Sequence, residues 1–422
     1  MTNGILLALA AALAYGLGVK ALPREHAQAP ESSLLVPFRT ENTAAEQGAA
    51  ESMGNSSPEL LANQISEALA KGDATTVRKL VPDFLAVARL SADTLLRTGV
   101  GLAQQDYYAE AARVFERCVK DYPQLFEGYY NLALAELALR QFPPALSTLA
   151  KAPRTSKSAE VAGTYLRGKI EAALGRNAAA EEDLAASVEA APREENYALD
   201  LGLFYLQRYN YQAALAVFQR ATSYQKKSPF LRLGFGLSQF LAGQEVEAIQ
   251  TCHDLLASQP DFSAAHVLMA FALYMQGNIE EAERTADQGL RGPDPSAYLL
   301  YLHAVCLIKL QSPDYDRMDN DLTTAAREIP RCSLCYVALS KVHQRNGHES
   351  NAKADLEKAI ALDPTLAEAW YRLASVYEQS GQAEAARQAR LRFEQLKGNR
   401  TNREAEMLRD VFIESLGGES RQ

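Results

Sequence analysis

Residues 195–226 read ENYALDLGLFYLQRYNYQAALAVFQRATSYQK. Two apolar stripes run through them at helical spacing. Leu201, Tyr205 and the small Gly202 share one stripe of a first helix, and Ala214, Phe218 and Ala221 share one stripe of a second. Gly202 and Ala214 offer little side chain, so the two helices can approach closely. The stretch therefore predicts a hairpin of two helices.

The same unit can be laid over most of the chain. A small residue at the eighth place, a turn residue at the fifteenth and Ala at the twentieth anchor unit starts at Pro58, Ala92, Phe126, Val161, Glu195, Pro229, Ser263, Ala297, Ser333 and Ala367. Eight of the nine spacings are 34 or 35 residues and one is 36, a regularity that independent helices would not show. The first unit carries Thr76-Val77 where Ala is expected, and the unit from Ala297 has two extra residues, placed near Ser312-Pro313-Asp314.

Trp370, Leu373, Ala374, Tyr377, Gly381 and Ala386 in the last unit, and Tyr336, Leu339, Ser340, Gly347, Ala352, Leu356, Ala359 and Pro364 in the one before, carry a family resemblance. The pattern resembles the tetratricopeptide repeat, W-x2-L-G-x2-Y, then A-x3-F, then P. The resemblance implies an all-α fold, a right-handed superhelical solenoid of antiparallel helix pairs. It would hold about nine to ten repeats over residues 58–398 and a C-terminal capping helix and tail over 399–422. A chain of 422 residues exceeds the usual single compact core, and a solenoid avoids that limit because each repeat buries its apolar face on its neighbours.

The resemblance also implies a concave groove lined by the first helices, with their second, fifth, ninth, twelfth and thirteenth places toward a ligand. The fifth place holds Leu96, Tyr130, Tyr165, Leu199, Leu233, Val267, Tyr301, Val337 and Tyr371, and the middle units add Leu203, Leu206, Phe230, Phe240, Phe271, Tyr274, Met275, Tyr298, Val305 and Ile308. Toward the C-terminus the lining turns polar, with Lys341, Gln344, Arg345, Glu368, Arg372 and Glu378. The expectation is an exposed apolar patch larger than a soluble monomer normally leaves uncovered. A protein or peptide partner with an amphipathic helix or extended apolar segment would cover it. Tyr130, Leu199, Leu233, Phe240, Val267, Phe271, Tyr274, Tyr298 and Tyr301 are its expected partner-binding residues.

Packing between repeats, a plug formed by Leu34 to Phe38, or another copy of a self-assembling subunit would cover the same side chains. Some family members clamp a partner's terminal carboxylate with Lys, Asn and Arg. Asn131 occupies the Asn place, but Leu96, Arg97, Ala162 and Leu166 stand where the other clamp residues belong, so no clamp is expected.

Charged residues make up 23% of the chain and the net charge is -9, with both signs interspersed. No basic stripe marks a nucleic-acid partner. Ile5 to Val19 is an apolar run of 15 residues, short for a spanning helix and suited to the core of a secretory signal. Residues 1–21 are read as a signal peptide or membrane anchor, and the protein as exported (periplasmic or secreted) or membrane-tethered through residues 5–19. The placement of Lys20 and Arg24 after the run, with no basic residue before it, runs against a signal peptide. Residues 22–57, rich in Ser, Ala, Glu, Gly and Asn, read as a flexible linker. Near the other end Met407, Leu408, Val411, Phe412 and Leu416 share one helical stripe before Gly417-Gly418.

Chemistry-bearing residues are sparse. Cys118, Cys252 and Cys306 fall at packing places of the repeat. Cys332 and Cys335 form a C-x-x-C at a helix start, open to four readings: plain thiols, a local disulfide, a thiol-redox helper, or a metal site. His343 lies too far along the same helix to share a metal ion with them. His348-Glu349 has Ala352 where a zinc-protease helix needs its second His. No phosphate-binding loop, dinucleotide fingerprint or nucleophile elbow occurs in the sequence. His266 and His303 fall on faces that pack, while His26 and His253 stand without a carboxylate constellation. The expectation is a non-catalytic chain with no cofactor and no metal.

Overall fold

The computed structural model describes residues 58–397 and Arg409. The apolar run Ile5–Val19, the linker 22–57 with its Leu34–Phe38 island, and the C-terminal segment 399–422 apart from Arg409 lie outside the described residues. Every regular element among the described residues is a helix, and the 20 helices form ten pairs. They are α1 (Pro58–Ala70) with α2 (Ala74–Leu85), α3 (Ala92–Ala103) with α4 (Tyr108–Asp121), α5 (Phe126–Ala138) with α6 (Phe142–Lys151), α7 (Lys157–Ala173) with α8 (Asn177–Ala190) and α9 (Glu195–Gln207) with α10 (Tyr211–Tyr224). The series continues with α11 (Pro229–Leu241) and α12 (Glu245–Ser258), α13 (Ser263–Gln276) and α14 (Ile279–Leu290), α15 (Ala297–Lys309) and α16 (Tyr315–Glu328), α17 (Ser333–Arg345) and α18 (Glu349–Leu362), and α19 (Ala367–Gln379) and α20 (Ala383–Leu396).

Each pair is closed by the same backbone turn. At the fifteenth place the chain enters the left-handed region: Gly72, Gly175, Gly243, Gly277, Gly347 and Gly381 do so as glycines, and Asp106, Arg140, Tyr209 and Gln311 do so with side chains attached. The following N–H bonds the carbonyl five residues back, as in Asp73 to Ala68, Gln244 to Gln239 and Asn278 to Leu273, while the fifteenth-place N–H bonds the carbonyl three back. This is the Schellman closure, which satisfies carbonyls that a helix end otherwise leaves unpaired.

The chain divides into two compact units between Phe204 and Tyr205. Within each unit the second helix of a pair packs on the first helix of the next, and successive first helices also touch: α3 with α5, α5 with α7, α11 with α13, α13 with α15, and α15 with α17. The twentieth place sits in the tightest part of each hairpin. Ala111, Ala145, Ala180, Ala214, Ala248, Ala282 and Ala352 are fully buried there. The two aberrant units fill the same place with Val77 and Met318, also fully buried.

Two details refine the sequence reading. The extra residues of the eighth pair fall in the link between α15 and α16, where Asp314 caps α16 by accepting from the Arg317 N–H. The fourth pair begins at Lys157 rather than Val161. Its predecessor α6 stops early, ahead of Pro153, and Ser156 then caps α7 by accepting from the Ala159 N–H.

Close helix contact depends on missing side chains. A Cβ at Gly99 would lie 2.4 Å from the Phe115 ring of its own pair, and one at Gly234 would lie 2.6 Å from the Phe218 ring of the preceding pair. Both rings are fully buried and cannot swing away. Gly99→Ala and Gly234→Ala are each expected to cost about 1–3 kcal/mol, the usual penalty of overpacking, measured by urea denaturation. Arg140→Gly, at φ 60°, should instead raise stability by up to about 1 kcal/mol by removing left-handed strain. A larger loss at Arg140→Gly than at Gly99→Ala would contradict this account of the turn.

Candidate functional site

Sequence reading puts the fifth place of the first helix on an open groove, and the structure places it otherwise. Leu96, Tyr130, Tyr165, Leu199, Leu233, Val267, Tyr301 and Val337 are all between 1% and 6% exposed. Tyr371, the fifth-place residue of the last described pair, is 59% exposed. The fifth place is thus where one first helix meets the next, and its burial follows from the contacts between successive first helices. Tyr130, Leu199, Leu233, Val267 and Tyr301 are buried side chains, not exposed anchors. Phe240, Phe271, Tyr274 and Tyr298 are buried as well, so the sequence-predicted patch is not open on the surface of the chain.

The ninth and twelfth places behave differently from one pair to another. In the third pair Leu134 and Leu137 occupy them and are only half-buried. In the C-terminal unit Leu206, Leu237, Phe240, Phe271, Tyr274, Val305 and Ile308 occupy them and are all buried. The Phe240 and Phe271 rings meet edge-to-face at 5.5 Å, and Lys309 Nζ stands 4.4 Å over the Tyr274 ring. No charged side chain stands at the ninth or twelfth place of α11, α13 or α15. One pair further on, Lys341 and Gln344 hold these places.

Each unit also holds a polar cluster of its own. In the N-terminal unit Lys169 Nζ lies 2.7 Å from Asp200, whose carboxylate also accepts from the Tyr165 hydroxyl, and the Tyr165 and Tyr197 rings stack at 4.1 Å. Burial, reinforced by Asp200, pushes the Tyr165 hydroxyl well above its ordinary pKa. In the C-terminal unit Glu368 is held by Lys341 at 2.9 Å and by Arg372 at 2.9 Å. Burial raises the Glu368 carboxyl, but the two cations outweigh it and leave it below the usual range.

Sequence reading missed a second set of ties. His303, fully buried, sets Nδ1 2.7 Å from Asp321 and Nε2 3.4 Å from Glu283. His343 sets Nδ1 2.6 Å from Asp355 and Nε2 2.9 Å from Asp319. Each ring bridges the second helix of its own pair to that of the preceding one. No local spacing signals these partners, because they come from separate helices.

The remaining candidates carry no reactive arrangement. Burial pushes the Cys118, Cys252 and Cys306 thiols up to about 12, consistent with packing roles. Cys332 and Cys335 are joined in a disulfide and both are buried. His266 takes a packing role too, buried with Nε2–H donating to the Pro260 carbonyl at 2.8 Å. Asn131, Leu96 and Leu166 are all buried, so those places do not assemble a carboxylate clamp. Among the described residues no group of three His, Cys, Asp or Glu side chains is arranged to hold a metal ion. No helix among them is long and apolar enough to cross a membrane.

Comparison with known proteins gives matches to tetratricopeptide repeat family models over residues 93–124, 165–230, 239–312, 334–366 and 356–388. Similar solved structures include a tetratricopeptide repeat protein from Parabacteroides merdae, 17% identical, covering 60% of this chain and 98% of that one with a TM-score of 0.44. The human IFIT1 dimer with m7Gppp-AAAA is 12% identical, covers 83% and 84%, and has a TM-score of 0.46. A thermophilic TPR protein of Thermus thermophilus is 22% identical over 42% and 96%, with a TM-score of 0.35. No curated protein sequence matches the chain.

The Lys169–Asp200 pair is mostly shielded from solvent, with side chains 15% and 12% exposed. Asp200→Asn would leave Lys169 shielded without its counter-charge and weaken the bond from Tyr165. The variant is expected to lose about 2–4 kcal/mol, near the range for breaking a buried pair. Lys169→Met with Asp200→Asn together should lose less than Asp200→Asn alone. Urea titration of the three chains checks this, and a double variant weaker than the single one would refute it.

Proposed function

We propose that this chain, which belongs to the tetratricopeptide repeat family, is a non-catalytic scaffold seating an apolar helical segment of a protein partner on the ninth- and twelfth-place stripe of α11, α13 and α15. The general role follows from the family, whose members bind protein partners. The stripe is supported by one observation above the others: three successive first helices present Leu237, Phe240, Phe271, Tyr274, Val305 and Ile308 at these places with no charge among them. A charged ligand would find no counter-charge in these side chains, and the Tyr274 hydroxyl is their single hydrogen-bonding group. An apolar helix would instead exchange water contact for dispersion and area burial.

Since these side chains are buried in the chain itself, a partner must compete for them. Anchors of this type carry most of the affinity in comparable interfaces, because a large ring fills a desolvated site. The polar residues that follow, Lys341, Glu368 and Arg372, suit the water-facing side or the end of an amphipathic segment. Delivery across a membrane, or tethering to one, is part of the same reading and is supported by the apolar run Ile5–Val19. Mass spectrometry of the N-terminus of the protein made in cells reads whether the run is removed.

A lysine-flanked leucine-alanine helix carrying a fluorophore serves as the probe. Tyr274→Ala and Phe240→Ala are each expected to weaken its binding by about 2 kcal/mol at unchanged helix content, with Tyr371→Ala as the control outside the stripe. Equal losses in all three variants, or no saturable binding at all, would rule this seat out.

A further inference from the structure

Along the sequence the two signs of charge are interspersed, but sorted by helix they separate. In the C-terminal unit the first helices α11, α13, α15, α17 and α19 carry Arg232, Lys309, Lys341, Arg345 and Arg372 against only Glu368 and Glu378. The second helices of the same pairs, α12, α14, α16, α18 and α20, hold 16 acidic residues and 8 basic ones. The first helices that precede them in the chain, α1, α3, α5, α7 and α9, are acidic too, with nine Asp and Glu to four Lys and Arg. In a chain of net charge -9, positive charge is thus concentrated on the first helices of one unit.

Four of the five cations gather about the apolar stripe. Lys309 Nζ stands over the Tyr274 ring at 4.4 Å, and Arg345 Nη1 donates to the Ile308 carbonyl at 2.6 Å. Lys341 takes the ninth place of α17, one pair on from Val305 at the ninth place of α15. It shares Glu368 Oε1 with Arg372 Nε, each at 2.9 Å. The fifth cation, Arg232, turns instead to Ser258 of its own second helix. The stripe side chains are buried, whereas Lys309 and Arg345 are exposed and the side chains of Lys341 and Arg372 are 28% and 29% exposed. The part of this face that a partner meets first is therefore cationic.

These cations are short of counter-charge. Lys309 and Arg345 meet no carboxylate among the described residues, only the ring and the carbonyl already named. Glu368 alone serves both Lys341 and Arg372, and Glu378 is taken by Arg390 at 2.6 Å. Burial raises the Glu368 carboxyl, and its two cations more than offset that, as a local excess of positive charge requires. Arg372 reaches Glu368 through Nε, which leaves its Nη1 and Nη2 donors without a partner among the described residues. In the N-terminal unit, by comparison, Lys169 has a carboxylate of its own in Asp200.

We propose that the partner of the C-terminal unit is an acidic amphipathic protein segment, whose Asp and Glu side chains pair with Lys309, Lys341, Arg345 and Arg372 while its apolar residues face the stripe. The proposal rests on the scaffold reading above and adds the charge of the partner. Exposed ion pairs contribute little singly, but across an interface they decide which partner is accepted and how fast it arrives. The same side chains turn away a basic segment. Nucleic acid is the poorer match, since its phosphates repeat along the whole strand. Here four cations surround an apolar stripe and stand beside two carboxylates, on a chain whose net negative charge repels a polyanion.

Two leucine-alanine helices of equal length, one flanked by glutamates and one by lysines, each carrying the same fluorophore, are titrated with the full chain and read by anisotropy. At low salt the glutamate-flanked helix is expected to bind about tenfold tighter, and the margin should shrink as salt is raised. Lys309→Gln with Arg372→Gln, which leaves Glu368 its contact with Lys341, should remove most of the margin. Arg284→Gln, which removes an exposed cation of α14, should leave it unchanged, and circular dichroism verifies that each variant folds. Equal affinities, a preference for lysine flanks, or a margin that survives in the double variant would each overturn the proposal. So would an RNA oligonucleotide that binds more tightly than the glutamate-flanked helix and loses affinity in the double variant. Tyr274→Ala separates the two readings. If it weakens both helices alike and neither is preferred, the stripe is a seat and the acidic partner is refuted. If the glutamate preference persists and Tyr274→Ala changes nothing, the acidic partner stands and the stripe is not its seat.

Discussion

Each helix pair has an apolar side that it cannot bury alone, and the pairs on either side are its only large source of cover. That constraint explains why the repeat keeps its length along the chain even where its residues drift. Val77 and Met318 replace Ala at the twentieth place without loss of burial, because the hairpin geometry is held by the backbone turn and not by one side chain. The turn itself persists through six glycines and four residues with side chains. A chain of equal hairpins results, each positioned by the Schellman closure inside it and by the pair before it.

The same constraint decides what a given place can do. A fifth-place side chain is consumed by contact with the next first helix, and Tyr371 shows the alternative when no further described pair follows. Ninth- and twelfth-place side chains vary: Leu134 and Leu137 stay half-exposed, whereas Phe240 and Phe271 are buried and meet across successive first helices. In the C-terminal unit those places are apolar over three successive helices and then charged.

The hairpins, their register and the link that absorbs two extra residues were legible in the sequence, since each leaves a local mark: a small residue, a left-handed turn, an alanine, a proline. The groove lining was legible only in part. A place within a repeat predicts orientation, but exposure depends on how near the next helix comes, and no residue type within one unit encodes that distance. Hence Tyr130, Leu199, Leu233, Val267 and Tyr301 looked like anchors and are interior. The His303 and His343 bridges were hidden for a related reason. Their carboxylate partners lie on second helices of two pairs, 12 to 24 residues away in sequence, and a sequence scan for paired acids around a histidine sees only local neighbours. The C-x-x-C was read with its alternatives open, and its burial removes the solvent access that thiol exchange requires.

The distribution of polar ties argues for where the C-terminal unit can and cannot adapt. His303 is fixed between Asp321 and Glu283, and His343 between Asp319 and Asp355, while Arg317 adds a 2.7 Å bond to Asp287. These contacts join the second helices α14, α16 and α18 along the side of the pairs away from the apolar stripe. Directional bonds on that side resist sliding of one pair on the next, since each charge has a single satisfied geometry. On the first-helix side apolar contacts such as that of Phe240 with Phe271, which are non-directional, stand beside polar ones, the bond from Arg345 to the Ile308 carbonyl and the Lys341–Glu368 pair. A unit built this way keeps its pairs in register through ties on its second helices, and the scaffold role proposed above needs that fixed spacing.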